Sequence, residues 1–390
     1  MRPVNPIYAQ LGTTVFETMS RLAQETGAIN LGQGFPDEGF PPDVLAKAAD
    51  AVLTGWNQYP PMPGLPELRQ AIARHEQRFY GIDRDWMRET LVTSGATEAL
   101  AAAILALVEP GDEVVLFEPF YDAYLPLVRR AGAIPRFVTL TPPDWTPSRE
   151  ALAAAFSPRT KAVILNNPLN PAGKVFSRAE LELIAEFVDG SDAYVIADEV
   201  YEHVLYDGRA HIPFCTLPGM ANRVIRIGSA GKIFSLTGWK VGLVTGAADT
   251  LSPVIKAHQY LTFTTPPNLQ AAVAFGLDKG DDFYRELASG LELRRDRFAA
   301  GLRALGLEVL PCHGTYFLSI DIRSAGFSGT DTEFCQALTR RIGVAAIPNS
   351  AFYAQNPVTT TARFCFSKKL SVLDGALERL ARLGETKLDG

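Results

Sequence analysis

Cysteine is scarce in this chain of 390 residues: there are 4, Cys215, Cys312, Cys335 and Cys365. They are scattered, with no CxxC spacing, which excludes a disulfide framework and the common structural zinc motifs. Long apolar runs are missing as well. The most apolar helical stretch, Ala99 to Val108, is about half of the roughly 20 residues a membrane span needs, and the polar, Pro-rich opening Met1 to Pro6 has no apolar signal core. Positive charge is in deficit. The 37 Lys and Arg against 43 Asp and Glu leave a net charge of -6, so the chain offers no global attraction to nucleic acid or anionic membrane. A pocket with its own local field for a small anion is not excluded. The expectation is a reduced, cytoplasmic protein without a nucleic-acid or membrane partner. A hydrophobic content of 47% with 21% charged residues is that of a folded chain rather than a disordered one. The length allows two to three domains at roughly 150 residues each.

From about residue 90 the pattern alternates between short apolar strands and helices. Strands are predicted at Glu89–Thr93, Glu113–Phe117, Ala162–Leu165, Tyr194–Ala197 and Val224–Ile227. Helices are predicted at Thr97–Val108, at Phe120–Ala131 and from Ser177, where Ser177-x-x-Glu180 has capping-box spacing. Unbroken apolar strands between helices indicate a mostly parallel sheet buried on both faces, hence α/β. Beyond about residue 285 a long charged helix, Glu286–Ala304, precedes strand-like segments at Tyr316–Asp321, Val344–Ile347 and Arg363–Phe366 and a polar helix from about Val372. The first 45 or so residues, rich in Gly and Pro, read as an irregular arm. The expected organisation is an arm that is also part of a small domain (1–45), a large three-layer α/β/α domain (46–284) and a smaller α+β domain (285–390).

Three tempting motifs fail. Gly32-Gln33-Gly34-Phe35-Pro36-Asp37 begins like a dinucleotide fingerprint but lacks the third glycine and a strand–turn–helix context. Gly228-Ser229-Ala230-Gly231-Lys232 ends like a phosphate-binding loop of an NTPase. Arg226 stands where its first glycine belongs, and Ile233 replaces the Mg-binding hydroxyl. Asp198, Glu199, Glu202 and His203 crowd together without a metalloprotease spacing, so no metal is expected.

Ligands of parallel open sheets bind beyond the carboxyl ends of the strands. There this chain collects Ser94 to Thr97, Glu118 to Tyr121, Asn166 to Gly173, Asp198 to Tyr201 and Gly228 to Lys232. Lys232, following a buried strand, sits in a partly apolar cleft, where desolvation lowers an amine's pKa and suits Schiff-base chemistry. Ser229 and Lys240 offer a hydroxyl and a cation to a phosphate, and Gly95-Ala96-Thr97 opens a helix whose free N–H groups favour an anion. A reactive lysine beside a phosphate site is what pyridoxal 5'-phosphate (PLP) requires. Its ring nitrogen needs a carboxylate to stay protonated, and Asp198, ending an apolar strand, suits that task. Asn170 and Tyr201 are candidates for the ring's 3-oxygen, and Tyr121 for covering the ring face.

With these residues the sequence resembles a fold-type I, class I/II PLP-dependent aminotransferase, and within that family the kynurenine/glutamine/methionine aminotransferase branch. The resemblance covers nearly the whole chain. It runs through Asn30 to Asp37, Asn57-Gln58-Tyr59, Glu118 to Tyr124, Asn170 to Val175, Asp198 to Tyr201, Gly228 to Gly242 and Arg363 to Phe366. It implies the aspartate aminotransferase-like fold and a homodimer with shared active sites. Lys232 is then expected to carry the cofactor and to move the substrate proton, with Asp198 on the ring nitrogen, Tyr201 and Asn170 on the 3-oxygen, and Tyr121 on the ring face. Gly95, Ala96, Thr97, Ser229 and Lys240 are expected on the phosphate, with Tyr59 reaching that of the neighbouring subunit. Arg363 is expected to clamp the substrate carboxylate as a planar fork, with Asn170 and the Gly34 backbone beside it. Lys240 stands where many relatives have Arg, and Thr264 where the branch often has His.

No motif marks a second arginine for a side-chain carboxylate, and Phe16, Tyr59, Phe263 and Phe352 would make an apolar or aromatic pocket. The expected activity is transfer of the amino group of a large neutral or aromatic L-amino acid (methionine, glutamine, kynurenine-like) to a 2-oxo acid by a ping-pong mechanism. A cysteine-conjugate carbon–sulfur β-lyase would use the same residues. A PLP-fold transcription regulator is disfavoured because only some 45 residues precede the core.

Overall fold

The computed structural model describes residues 2, 4–384, 386 and 388. The first strand is the short Ile29–Asn30 (β1). Seven strands then build the central sheet: Thr90–Thr93 (β2), Glu113–Glu118 (β3), Ile134–Thr139 (β4), Thr160–Asn166 (β5), Tyr194–Asp198 (β6), Val224–Ser229 (β7) and Gly242–Thr245 (β8). Their spatial order is β2-β8-β7-β6-β5-β3-β4. All neighbours are parallel except β8, which is antiparallel to both β2 and β7.

Side chains alternate between the two faces of a strand, so the apolar strands feed two cores. Val115, Phe117, Val163, Leu165, Val195 and Ala197 meet Leu181, Ile184 and Val188 of the helix Arg178–Ser191 on one face. Val114, Leu116, Ile164, Ile196 and Ile227 meet Leu100, Ala103 and Leu107 of the helix Ala96–Leu107 on the other. The result is the expected three-layer α/β/α arrangement. The capping box of Ser177 and Glu180 forms as predicted.

The chain after residue 300 adds Glu308–Val309 (β9), Phe317–Asp321 (β10), Val344–Ala345 (β11), Ile347–Pro348 (β12) and Thr361–Cys365 (β13). β12-β13-β10-β9 form an antiparallel sheet, and β1 pairs with β11. Three expectations change. The first residues are not irregular throughout. Val15–Thr26 is a helix capped by the Thr14 side chain and ended by left-handed Gly27, and it buries Met19, Leu22 and Ala23 at helical spacing. The helix expected from Phe120 starts at Tyr124, because the Phe120 N–H pairs with Phe352 O at 2.9 Å instead. Strands β1, β4, β8 and β9 lie outside the expected set, and the one strand expected at Val344–Ile347 divides into β11 and β12, which belong to different sheets. β4 is a partly exposed edge strand containing Pro135, and β8 is only four residues long.

Candidate active site

The sheet's carboxyl edge gathers the chemistry. β5 ends at Asn166 and β6 at Asp198, paired in register, and β7 ends at Ser229. The antiparallel β8 brings its beginning to the same edge, where Gly242 is the register partner of both Thr93 and Ser229. Lys240, two residues earlier, therefore meets the loop that leaves β2. That loop turns through Gly95 with a φ of 79°. A Cβ there would come within 3.0 Å of the Lys240 side chain, in a backbone conformation that L side chains avoid. The helix Ala96–Leu107 starts without a side-chain cap, so its first N–H groups are left for a ligand.

One cavity of about 300 Å³ lies on this edge. The predicted residues Gly34, Gly95, Ala96, Thr97, Tyr121, Asn170, Asp198, Tyr201, Ser229, Lys232, Lys240, Arg363 and Phe16 all line it. Asp198 is buried and receives a hydrogen bond from Tyr124 Oη at 2.5 Å. Burial raises its pKa to about 6 despite that bond. Lys232 Nζ donates to Tyr316 Oη at 2.6 Å, and Tyr316 Oη in turn donates to Gly34 O at 2.9 Å. Burial pulls the Lys232 amine down to about 8. The Tyr121 hydroxyl hydrogen-bonds Thr97, while desolvation raises its pKa.

Arg363, on β13, is fully buried. Its Nη1 donates to Asn170 Oδ1 at 2.9 Å and its Nη2 to Gly32 O at 3.0 Å, while its buried Nε has no partner. The guanidinium lies 3.9 Å from the Phe317 ring centre and 5.4 Å from that of Phe16. Burial lowers its pKa to about 10. A buried cation with an open donor and an amide neighbour is prepared for a carboxylate.

Three predicted residues stand elsewhere. Phe352 is 1% exposed, packed edge-on against Phe16 and 5.0 Å from Arg363. It backs the guanidinium and does not line the cavity. Tyr59 and Phe263 form an exposed edge-to-face pair with centroids 5.2 Å apart, also outside the cavity of their own chain. Tyr124, Tyr316 and Phe317 were not singled out. The spacing of Tyr121 and Tyr124 was a usable signal, since three residues apart at a helix start places them side by side. Tyr316 had only its place just before a strand.

The crowded acids after β6 divide. Asp198 serves the cavity, whereas Glu199 and Glu202 turn to Arg226 of β7, which also binds Glu76 of the helix Pro66–Tyr80 at 2.7 Å. Glu76 takes a second cation, Arg84, at 2.9 Å. His75, Glu202 and His203 bring ligand-type atoms within 4.8 Å of one another. The two imidazole Nε2 atoms are 2.7 Å apart as hydrogen-bond partners, and Arg226 already supplies the cation for Glu202.

Residues 26–380 match the family model described as aminotransferase class I and II. A Mycobacterium tuberculosis protein named probable N-succinyldiaminopimelate aminotransferase DapC is 48% identical, with 96% of each chain covered. The methionine aminotransferase of Escherichia coli is 43% identical over 96% of this chain and 97% of its own. A kynurenine–oxoglutarate transaminase of Dictyostelium discoideum is 39% identical over 96% and 95%. The solved N-succinyldiaminopimelate aminotransferase of M. tuberculosis superposes with a TM-score of 0.95 over 98% of this chain and all of that one, at 48% identity. An aspartate aminotransferase variant of Thermus thermophilus does so at 0.90, over 98% and 100%, with 28% identity. The chain belongs to the class I and II aminotransferases, transferases that work with PLP.

Proposed function

We propose that the chain holds PLP in this cavity and moves the amino group of a large neutral or aromatic L-amino acid, of the methionine, glutamine or kynurenine-like kind, to a 2-oxo acid by a ping-pong mechanism. One observation carries the reading: an amine displaced to about 8 and a carboxyl displaced to about 6 share a cavity with a guanidinium whose Nε is unpaired. The residues fit the cofactor. Gly95 leaves room beside Lys240, and the uncapped helix start offers N–H groups to a phosphate. A buried carboxylate without a cation partner suits a protonated ring nitrogen.

Bound PLP supplies an aldehyde that accepts an amine and a ring that draws electrons toward its protonated nitrogen. The chain does the rest. Ala96, Thr97, Ser229 and Lys240 hold the phosphate, Asp198 takes the ring N–H, and Tyr201 and Asn170 serve the ring oxygen, with Tyr121 over its face. Lys232 carries the cofactor and moves the substrate proton at Nζ. With a pKa near 8, roughly a tenth of that amine is neutral at pH 7, ~300-fold more than for an ordinary lysine. Arg363 binds the α-carboxylate, aided by Asn170 and the Gly34 backbone, and Phe16 and Phe317 present rings to the substrate. Two copies are proposed to share their sites, with Tyr59 reaching the partner's phosphate.

The cations lining the cavity are Lys232, Lys240 and Arg363, and each already has a task. A donor with an acid-tipped side chain would need a further cation, which favours a neutral side chain. The identity to a relative named for N-succinyldiaminopimelate favours the other reading, a donor with acid groups at its far end. The experiment adds a panel of amino acids to PLP-loaded protein without an acceptor and follows the cofactor's absorbance. Conversion by methionine, glutamine or aromatic donors supports the proposal. Conversion by the acid-tipped donor alone overturns the neutral class, and release of pyruvate and ammonia without conversion points to the lyase.

A further inference from the structure

We infer that Tyr316 is a catalytic residue: its hydroxyl is the resting partner of the Lys232 amine whenever that amine is not bonded to the cofactor. The inference rests on the reading of the cavity given above. In any amino transfer there is a stage at which the amino group sits on the cofactor and the lysine is free. A free amine on a four-carbon stem in an apolar cleft has many rotamers and few partners. Here its recorded hydrogen bond is the 2.6 Å contact to Tyr316 Oη.

The hydroxyl is set up as an acceptor. A phenol has one proton, and Gly34 O at 2.9 Å and the neighbouring Tyr201 hydroxyl are the acceptors that draw it away from Lys232. Toward Lys232 it therefore presents a lone pair, so Nζ donates and its own lone pair can point elsewhere in the cavity. Burial pushes the Tyr316 hydroxyl far above the ordinary tyrosine range, so it keeps its proton. No bond to Tyr316 forms or breaks; it holds the amine and gives it up.

The backbone fixes this hydroxyl. Thr315, fully buried, has a φ of 64°, an outlier for a β-branched residue. Three hydrogen bonds hold it there: its N–H donates to Val204 O at 3.0 Å, its carbonyl accepts from Tyr206 Oη at 2.5 Å, and its Oγ1 accepts from Phe317 N–H at 3.2 Å. Strain of this kind persists only where the surroundings over-determine it. On the other side, a Cβ at Gly34 would come within 2.5 Å of the Phe317 ring, so the approach of the Gly34 carbonyl to Tyr316 requires glycine. Tyr316 is 1% exposed and packed edge-on to Tyr201 at 5.2 Å, so its ring has no alternative position in solvent.

The test is Tyr316→Phe in PLP-loaded protein, compared with wild type. The ring and its packing remain. Removing the acceptor is expected to shift the equilibrium of the first half-reaction toward the lysine-bonded form by roughly three- to tenfold, the worth of one hydrogen bond. An acceptor favours the ammonium over the amine, so the pH midpoint for PLP uptake by cofactor-free protein should move to lower pH in the variant. An unchanged equilibrium and an unchanged midpoint overturn the inference. A crystal structure of wild type loaded with pyridoxamine 5'-phosphate tests it without any variant: Lys232 Nζ within about 3.5 Å of Tyr316 Oη supports it, and a longer distance overturns it. Wild type that takes up no PLP sinks the reading of the cavity itself, and the role of Tyr316 with it.

Discussion

Two groups of charge draw on the same two strands, β6 and β7, and their chemistry is opposite. Around Arg226, one guanidinium serves three carboxylates, and Tyr80, Thr245 and His211 each bond a carboxylate oxygen that Arg226 also holds, while Arg84 and the Phe214 N–H take the second oxygens of Glu76 and Glu199. Those charges hold the carboxyls of Glu76, Glu199 and Glu202 below their ordinary range against the desolvation that opposes them. In the cavity, Asp198 is raised while Lys232 and Arg363 are lowered, and burial is the largest cause for each. Asp198 and Arg363 are as buried as the Arg226 cluster, while Lys232, which lines the cavity, is half-buried. A cluster that supplies its own counter-charges is a structural joint, here tying the helix Pro66–Tyr80 to the turn after β6. A set of charges all displaced toward neutrality is waiting for a molecule that brings the missing partners.

The comparison breaks most visibly at Lys232. Lys232→Ala is expected to lower kcat by at least ~10³-fold with little change in the melting temperature of the cofactor-free chain, since Lys232 Nζ is hydrogen-bonded to Tyr316 and acts on Asp198 only at a distance. Normal turnover by the PLP-loaded variant would remove Lys232 from the mechanism. The two arginines sharpen the contrast. Arg226→Met strips three carboxylates of their common cation and should cost about 3–5 kcal/mol in denaturant unfolding. Arg363→Met should cost no more than about 1–2 kcal/mol, yet reduce kcat/KM about 100-fold or more through loss of charged hydrogen bonds to the substrate. Equal stability losses would erase the distinction between joint and site.

Asp198 and Glu199 are sequence neighbours with opposite signs. The folded pKa of Asp198 is raised from 3.8 to about 6, so the folded cofactor-free chain holds an extra proton between those values. Stability therefore falls as pH rises through that window, and the cost is complete above about pH 6. Asp198→Asn should stabilise the cofactor-free chain by about 2–3 kcal/mol at pH 7 and by nothing below about pH 4. The pKa of Glu199 is lowered, so its contribution is present above the unfolded carboxyl value and lost as pH falls through the folded one. Glu199→Gln should destabilise at pH 7. Unfolding curves at pH 4 and 7 read both signs.

Much of this was legible from residue order. Apolar strands such as Glu113 to Glu118 announce a sheet covered on both faces, and Asp198, Ser229 and the Gly95 turn follow such strands directly. Local pattern reached that far because a parallel sheet sends its strand ends to one edge. It did not reach the antiparallel β8, four residues with no periodicity to read, although β8 carries Lys240 to that edge. It marked Asp198 by its place at a strand end but gave Glu199 and Glu202 no role, because their partner, Arg226, lies on another strand. Tyr316 was invisible for the same reason: its meaning comes from Lys232, 84 residues away in sequence. The helix Val15–Thr26 carries its own cap and apolar face, a signal masked by the glycines and prolines around it.

Tyr124 tests the comparison at its finest point, because it brings to the cavity a little of what the cluster has in full. Its hydroxyl is the closest hydrogen bond to Asp198, and as a donor it favours the charged carboxylate against the burial that opposes it. Tyr124→Phe removes a hydrogen bond to a charged group, worth about 1.5 kcal/mol, so the Asp198 pKa should rise by roughly one further unit. The pH window over which the cofactor-free chain loses stability should then extend from about 6 to roughly 7. Melting curves between pH 4 and 8 would show the variant less stable than wild type by that amount at pH 8, with the gap narrowing as the carboxyl becomes protonated. A gap independent of pH would mean that the Tyr124 hydroxyl contributes packing and not charge, and that Asp198 depends on burial alone.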